Sequence, residues 1–368
     1  MSSPPTRLVS LDAMRGAIIA LMVLVNTAGG LPQAYEPLKH ADWHGWTLTD
    51  VVFPSFVWIV GLSLTLSLGK RLASGATPGS LVGTILKRGL IIYLLGVLLY
   101  LTPHFDFATA RLLGVLQRIA ICYVAASLIY LWTGVRGQVI WIIGLCGVYW
   151  ILMMTMPVPG YPPGQLDEPG NFAHYIDSIV LGPHNYAHTA TWDPEGIVST
   201  LPAIASALFG VLAARLLKST ASLAERTTWL FLIGNALIVA ALVCEHWLPI
   251  NKKLWTTSFT LLVAGIDFAL FAGALWVIDG QGYKRFARPF VILGMNAIAV
   301  YLASEFGEIF LSEIWKIGGV PARTWIYENL YASWLRPLDA SLLYALSYVA
   351  LMLGIAWVLY RKNWFLKV

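Results

Sequence analysis

Charge is what this sequence has least of: charged residues make up only 12% of its 368 positions, against 58% hydrophobic. That imbalance excludes an ordinary water-soluble globular chain, whose surface needs far more charge. Strict apolar–polar alternation is missing too, which excludes a membrane β-barrel. Cysteine is scarce, and Cys122, Cys146 and Cys244 all fall inside apolar runs without paired spacing. Neither a disulfide framework nor a thiolate metal site is expected of them. The segment 157–195 contains no Lys or Arg. Neither familiar glycine-rich phosphate loop occurs, and no soluble domain or internal repeat interrupts the chain, which reads as a single transmembrane domain over 1–368.

What is abundant is apolar sequence in runs of membrane-spanning length. A helix needs about 20 residues to cross about 30 Å of hydrocarbon. Such runs fall at roughly 9–28, 47–68, 79–100, 111–132, 138–156, 196–217, 227–245, 254–278, 288–311 and 338–361. The expected fold is therefore all-α, a polytopic bundle of about ten transmembrane helices. The first run carries Asp12 and Arg15 at its start and lacks a small-residue cleavage site, so it is expected to remain as a helix.

The net charge of +5 is explained by topology rather than by nucleic acid, because cytoplasmic loops collect Lys and Arg. Placing both termini in the cytoplasm puts Arg7, Lys70, Arg71, Lys87, Arg88, Arg136, Arg215, Lys218, Arg285, Arg361 and Lys367 on that side. The same placement puts 157–195 outside, together with all seven histidines.

Several polar signals read as structural. Thr47 and Asp50 fit a capping box opening the second span. Asp193, Pro194 and Glu195 read as N-cap, first-turn proline and dipole-favouring acid of the sixth. Asp12 and Arg15, three apart, read as an ion pair.

Other clusters can carry chemistry. The connector Lys39, His40, Ala41, Asp42, Trp43, His44, Gly45, Trp46 packs two imidazoles, a carboxylate and two indoles between consecutive spans. Histidine accepts and returns protons near neutral pH, or attacks an acyl carbon; an interfacial aromatic belt is the equal alternative. Asn26 lies fourteen residues beyond Asp12, roughly 21 Å along a helix, near the outer end of the first span. Its amide can hold a reacting carbonyl or bond a neighbouring helix.

Arg111, Gln117 and Arg118 read as a polar stripe on the fourth span, an arrangement that favours an anion site or an internal ion pair. Asp267, Ser304, Glu305 and Glu308 are candidate counter-ions, or linings of a proton or substrate route. Lys252 and Lys253 lie on the outer side against the positive-inside trend, for an internal phosphate or carboxylate contact or for lipid headgroups. His184 and His188 have no obvious third ligand, so no metal is expected.

The order of these motifs resembles the heparan-α-glucosaminide N-acetyltransferase family of the transmembrane acyltransferase superfamily, including bacterial inner-membrane members associated with N-acetylglucosamine use. The likeness opens on Arg7, Leu8, Val9, Ser10, Leu11, Asp12, Arg15, Gly16, Val25 and Asn26. It runs on through Lys39, His40, Ala41, Trp43, Gly45, Thr47, Asp50, Val52, Phe53, Pro54 and Gly61. It continues in Gly114–Ile119, Asp193–Gly196, Asn251–Trp255 and Gly294–Asn296.

The resemblance implies transfer of acetyl from cytosolic acetyl-CoA to the amine of a sugar across the membrane, with His40 and Asn26 as the active-site pair. It also implies a homodimer. Acetyl-CoA contacts are expected from Arg118, Lys252, Asn251, Trp255 and Asn296, and acceptor contacts from Trp43, Asp50 and Glu305. Lysosomal members carry an extra N-terminal luminal region, whereas the first motif here begins almost at Met1. The expected acceptor is accordingly a glucosamine-like periplasmic sugar, at a bacterial inner membrane, rather than polymeric heparan. His40 would act either as general base in direct transfer or as an acetyl-accepting nucleophile. Direct transfer is favoured, because no second group in the sequence is evident to activate His40. The alternative from another class is an inner-membrane amino-sugar transporter using Asp267, Glu305 and Arg118.

Overall fold

The computed structural model describes residues 8–29, 31 and 33–366. Arg7 and Lys367, two of the expected cytoplasmic cations, lie outside the described residues. Among the described residues thirteen α-helices form in chain order: α1 Val9–Gly29, α2 Leu48–Ala73, α3 Pro78–Leu101, α4 Val115–Trp132, α5 Val135–Thr155, α6 Phe172–Val180 and α7 Thr200–Leu217. They continue as α8 Leu223–Cys244, α9 Thr257–Ala274, α10 Lys284–Met295, α11 Ala297–Ile309, α12 Ala322–Ile326 and α13 Pro337–Arg361. Among the described residues the only sheet is a two-stranded hairpin pairing Lys316–Ile317 with Val320–Pro321. Nine helices among them are long and apolar enough to span a membrane. A tenth span arises if Lys284–Met295 and Ala297–Ile314, bent by 71°, count together. The chain is an all-α multi-pass membrane protein.

Two expected spans begin later than their sequence pattern. α4 starts at Val115, with Gly114 as N-cap, so Arg111 is not on that helix. α7 starts at Thr200, so Asp193–Glu195 do not cap it. α2 starts as expected, the Thr47 amide donating to Asp50 Oδ2 at 3.0 Å. The Asp12–Arg15 pair also forms, at 3.1 Å. The break between α10 and α11 falls at Asn296, whose Nδ2 donates to Trp364 O at 3.2 Å and whose Oδ1 accepts from Leu366 N at 3.1 Å. The C-terminal tail thus takes up an amide that the sequence had assigned to acetyl-CoA.

Small residues let the helices that carry the site approach backbone to backbone, as apolar side chains alone do not drive association in lipid. A Cβ on Gly61 of α2 would lie 1.8 Å from Ala207 O of α7, and one on Gly210 of α7 would lie 1.9 Å from Trp58 O of α2. α1 and α10 touch in the same way, a Cβ on Gly16 meeting Phe290 O at 1.7 Å. These contacts fasten α2 to α7 and α1 to α10, the helices whose ends meet the connections that form the site.

Candidate active site

One cavity of about 760 Å³ opens among the ends of α1, α2 and α11 and the connections around residues 38–43, 168–195 and 252–253. Its lining includes Asn26, His40, Trp43, Asp50, Lys252 and Glu305. Arg118, Asn251, Trp255 and Asn296 are not among its lining residues. Of the five residues expected at acetyl-CoA, only Lys252 reaches this space.

The α1–α2 connection is held by two seams. Gly45, at φ +95°, takes a left-handed turn that L side chains resist. Its amide donates to Ile250 O at 2.7 Å. Asn251 Nδ2 lies 3.3 Å from His44 Nδ1, and its Oδ1 accepts from Leu254 N at 2.9 Å. This lays the α8–α9 connection along the α1–α2 connection and brings Lys252 to His40. On the other flank Trp43 Nε1 donates to Leu166 O at 3.0 Å, and its ring meets His174 and Trp192 edge-on. Lys253 Nζ donates to Asp42 O at 2.6 Å and lies 5.6 Å from the Trp43 ring centre.

The central cluster is His40, Asp50 and Lys252. His40 Nδ1 lies 2.6 Å from Asp50 Oδ1, while Asp50 Oδ2 accepts the amides of Ala41 and Thr47, each at 3.0 Å. Asp50 is therefore both cap and histidine partner, which the cap motif had concealed. The carboxylate has only 2% of its side chain exposed and the imidazole 51%. A buried acceptor on Nδ1 fixes the ring as the Nδ1–H tautomer and leaves the Nε2 lone pair as its base. Lys252 Nζ lies 3.2 Å from Nδ1, 3.5 Å from Nε2 and 3.8 Å from Asp50 Oδ1. Burial pushes this ammonium below the ordinary lysine range, although Asp50 and Glu195 oppose the shift.

Opposite stands an acidic wall. Asn26 Nδ2 donates to Glu305 Oε1 at 3.0 Å. Among the described residues Glu305 has no Lys, Arg or His in ion-pair contact, whereas Glu308 pairs with Arg323 at 2.8 Å. One Asn26 N–H is thus committed to a carboxylate rather than aimed at a carbonyl.

Behind these, Arg111 grips Asp193 through Nε at 2.7 Å and Nη2 at 2.6 Å, and also pairs with Glu195. Its guanidinium lies 4.9 Å from the Tyr100 ring centre and 4.3 Å from that of Tyr186. Burial alone would raise Glu195, but Arg111, Arg118 and Lys252 outweigh it and hold that carboxyl below the usual range. The arginines' counter-ions are therefore here: Asp267 is buried within α9 and is in ion-pair contact with neither. Arg118, 1% exposed, donates from Nη2 to Gly196 O at 2.9 Å and to Ser199 Oγ, with its guanidinium 4.8 Å from the Trp255 ring centre. It fixes the turn before α7 from inside the protein. Sequence reasoning missed the Arg111 clamp and the His40–Asp50 contact; the second lay within reach, since a carboxylate ten residues from a candidate histidine was already in view.

The sequence matches the profile of the heparan-alpha-glucosaminide N-acetyltransferase catalytic family over residues 7–250. The whole chain also aligns with heparan-alpha-glucosaminide N-acetyltransferase of Homo sapiens and with that of Mus musculus, at 29% identity to each. It spans 61% of the length of either relative.

Proposed function

The chain belongs to the heparan-alpha-glucosaminide N-acetyltransferase catalytic family, and from that premise we propose that it transfers acetyl from acetyl-CoA to the amine of a glucosamine-like sugar in the cavity beside His40. The observation that carries this reading is the His40–Asp50 contact at 2.6 Å on the wall of that cavity. A partly exposed imidazole with a buried carboxylate on Nδ1 is suited to act as a general base through Nε2 on a substrate in the cavity it lines. The cavity's volume, about 760 Å³, lies in the range of small-molecule sites.

In this mechanism the acceptor ammonium rests against Glu305 and sheds one proton to solvent. The neutral amine attacks the thioester carbonyl, and His40 Nε2 takes the second proton as the C–N bond forms. When the C–S bond breaks, the imidazolium returns that proton to the leaving thiolate. Asp50 keeps the tautomer and balances the imidazolium charge. It also removes the ground for preferring direct transfer over an acetyl-histidine, since a partnered imidazole is equally equipped to attack. The basic residues gathered on the expected cytoplasmic side support acetyl-CoA delivery from there; the membrane proposed is a bacterial inner membrane.

The test is sealed proteoliposomes with labelled acetyl-CoA on one side and glucosamine on the other. Acetylated sugar from wild type and none from His40→Ala is the expected result. Sugar uptake without acetylation would replace the enzyme with a transporter. Label retained on His40 after acetyl-CoA alone would replace direct transfer with the two-step scheme.

A further inference from the structure

The charge on the cavity wall is divided, and the division assigns a role that the sequence did not. Asn26 was the expected partner of the thioester carbonyl, yet one of its two amide N–H groups is committed to Glu305 at 3.0 Å. The cation beside the base is Lys252. Its ammonium has three donors. Among the described residues they meet only His40 Nδ1 at 3.2 Å, His40 Nε2 at 3.5 Å and Asp50 Oδ1 at 3.8 Å. Nδ1 is not an acceptor, because its proton is committed to Asp50 at 2.6 Å, and 3.8 Å is beyond hydrogen-bond reach. At most one donor is used, weakly, which leaves the others free for a ligand in the cavity that Lys252 lines.

A carbonyl attacked by an amine whose proton passes to Nε2 has its reacting atoms within a few Å of that nitrogen. An ammonium 3.5 Å from Nε2 is then within contact of the carbonyl oxygen itself. We propose that Lys252 is a catalytic residue that hydrogen-bonds the thioester oxygen and neutralises the oxyanion formed on attack, rather than a contact for the phosphates of acetyl-CoA. This rests on the acetyltransferase reading above. As the amine nitrogen bonds to carbon, the carbonyl π pair moves onto oxygen beside the Lys252 ammonium. When the pair returns, the C–S bond breaks and the thiolate takes the proton held by His40. Lys252 gives up no proton in the cycle.

The two roles separate on donors that carry different parts of acetyl-CoA. Free CoA keeps every phosphate and lacks the thioester carbonyl; S-acetylpantetheine keeps the thioester and has no diphosphate. Lys252→Met is expected to bind CoA with wild-type stoichiometry and a Kd within about twofold, while kcat falls about 100-fold or more with both acetyl-CoA and S-acetylpantetheine. Lys252→Arg, which keeps a cationic donor, is expected to recover most of that loss. The proposal is overturned if Lys252→Met weakens CoA at least about tenfold and leaves S-acetylpantetheine turnover at the wild-type level. Where Lys252→Met lowers CoA stoichiometry through misfolding, Lys252→Arg decides instead: full CoA stoichiometry with kcat near wild type supports the role, and full stoichiometry with kcat lost overturns it. Failure of the wild type to acetylate glucosamine from acetyl-CoA would sink the reading of function itself, a result distinct from any of these.

Discussion

Asp50 holds His40 by one oxygen and the start of α2 by the other: Oδ1 lies 2.6 Å from the imidazole Nδ1, and Oδ2 accepts the Thr47 amide at 3.0 Å. Since one carboxylate does both, the orientation of the histidine is tied to the first turn of a membrane-spanning helix. Movement of that turn moves the base.

Replacing Asp50 tests the two halves separately. Asp50→Asn keeps an oxygen for the cap but cannot balance an imidazolium, so kcat is expected to fall about 10²- to 10⁴-fold with little change in thermal midpoint. Asp50→Ala should lose as much activity and about 1 kcal/mol of stability besides. Steady-state kinetics beside a thermal melt reads both. An active Asp50→Asn would reduce Asp50 to a cap.

Among the described residues Glu305 lines the cavity with no Lys, Arg or His in ion-pair contact, and its carboxylate accepts from Asn26 at 3.0 Å. Removing its charge in Glu305→Gln should raise KM for the amine acceptor by roughly 10- to 100-fold, the worth of a hydrogen bond to a charged group, while KM for acetyl-CoA stays put. Asn26→Ala acts through the same pair, so the double variant should be far from additive. Additive losses would separate the two residues.

The spans were legible because a bilayer sets a single length, and ten apolar runs of that length had few alternatives. The errors came where a local pattern had two meanings. Asp193-Pro194-Glu195 looks like a helix start, yet α7 begins at Thr200 and both acids belong to Arg111, 82 and 84 residues earlier. A pairing of that reach leaves no local spacing to read. Arg111 itself was drawn onto α4 by the apolar residues around it, although Gly114 starts the helix after it. Asn251 and Trp255 belong to a block whose two lysines, Lys252 and Lys253, do line the cavity; the seam of Asn251 with Gly45 is a contact between connections far apart in sequence.

His174 and Asp177, both on α6, carry opposite acid responses. His174 stacks on Trp192 at 4.0 Å and is hydrogen-bonded through Nδ1 to Glu168 O at 2.7 Å. Burial lowers it to about 4. The unfolded chain protonates this histidine near pH 6.5, so stability falls as pH drops from there towards 4. Asp177 accepts the Ile197 amide at 2.9 Å and is raised by burial to about 6. The folded state gains its proton first, so stability rises as pH drops from 6 towards the unfolded value. Each shift is worth about 3 kcal/mol, and the two nearly cancel. Melts from about pH 7 to about pH 4.5 should therefore show His174→Gln gaining stability relative to wild type on acidification, and Asp177→Asn losing it. Parallel curves for all three would remove both shifts.

The backbone contact between α2 and α7 predicts a loss that no side-chain inventory of the site would anticipate. A methyl on Gly61 would lie 1.8 Å from Ala207 O, and a main-chain carbonyl inside a packed helix has nowhere to withdraw. The helices must separate, at about 1–3 kcal/mol for overpacking of this kind. Because α2 begins at Leu48 and carries Asp50 in its first turn, the separation also displaces the partner of His40. Gly61→Ala is expected to lower both the thermal midpoint and kcat, although it lies far along the helix from the cavity. Gly79→Ala serves as the control, since a Cβ there meets nothing within 4 Å; alanine's better helix propensity should leave it as stable as wild type or slightly more so. A Gly61→Ala protein with the wild-type midpoint would mean that α2 and α7 do not touch at this point, and the geometry that sets Asp50 against His40 would then need another origin.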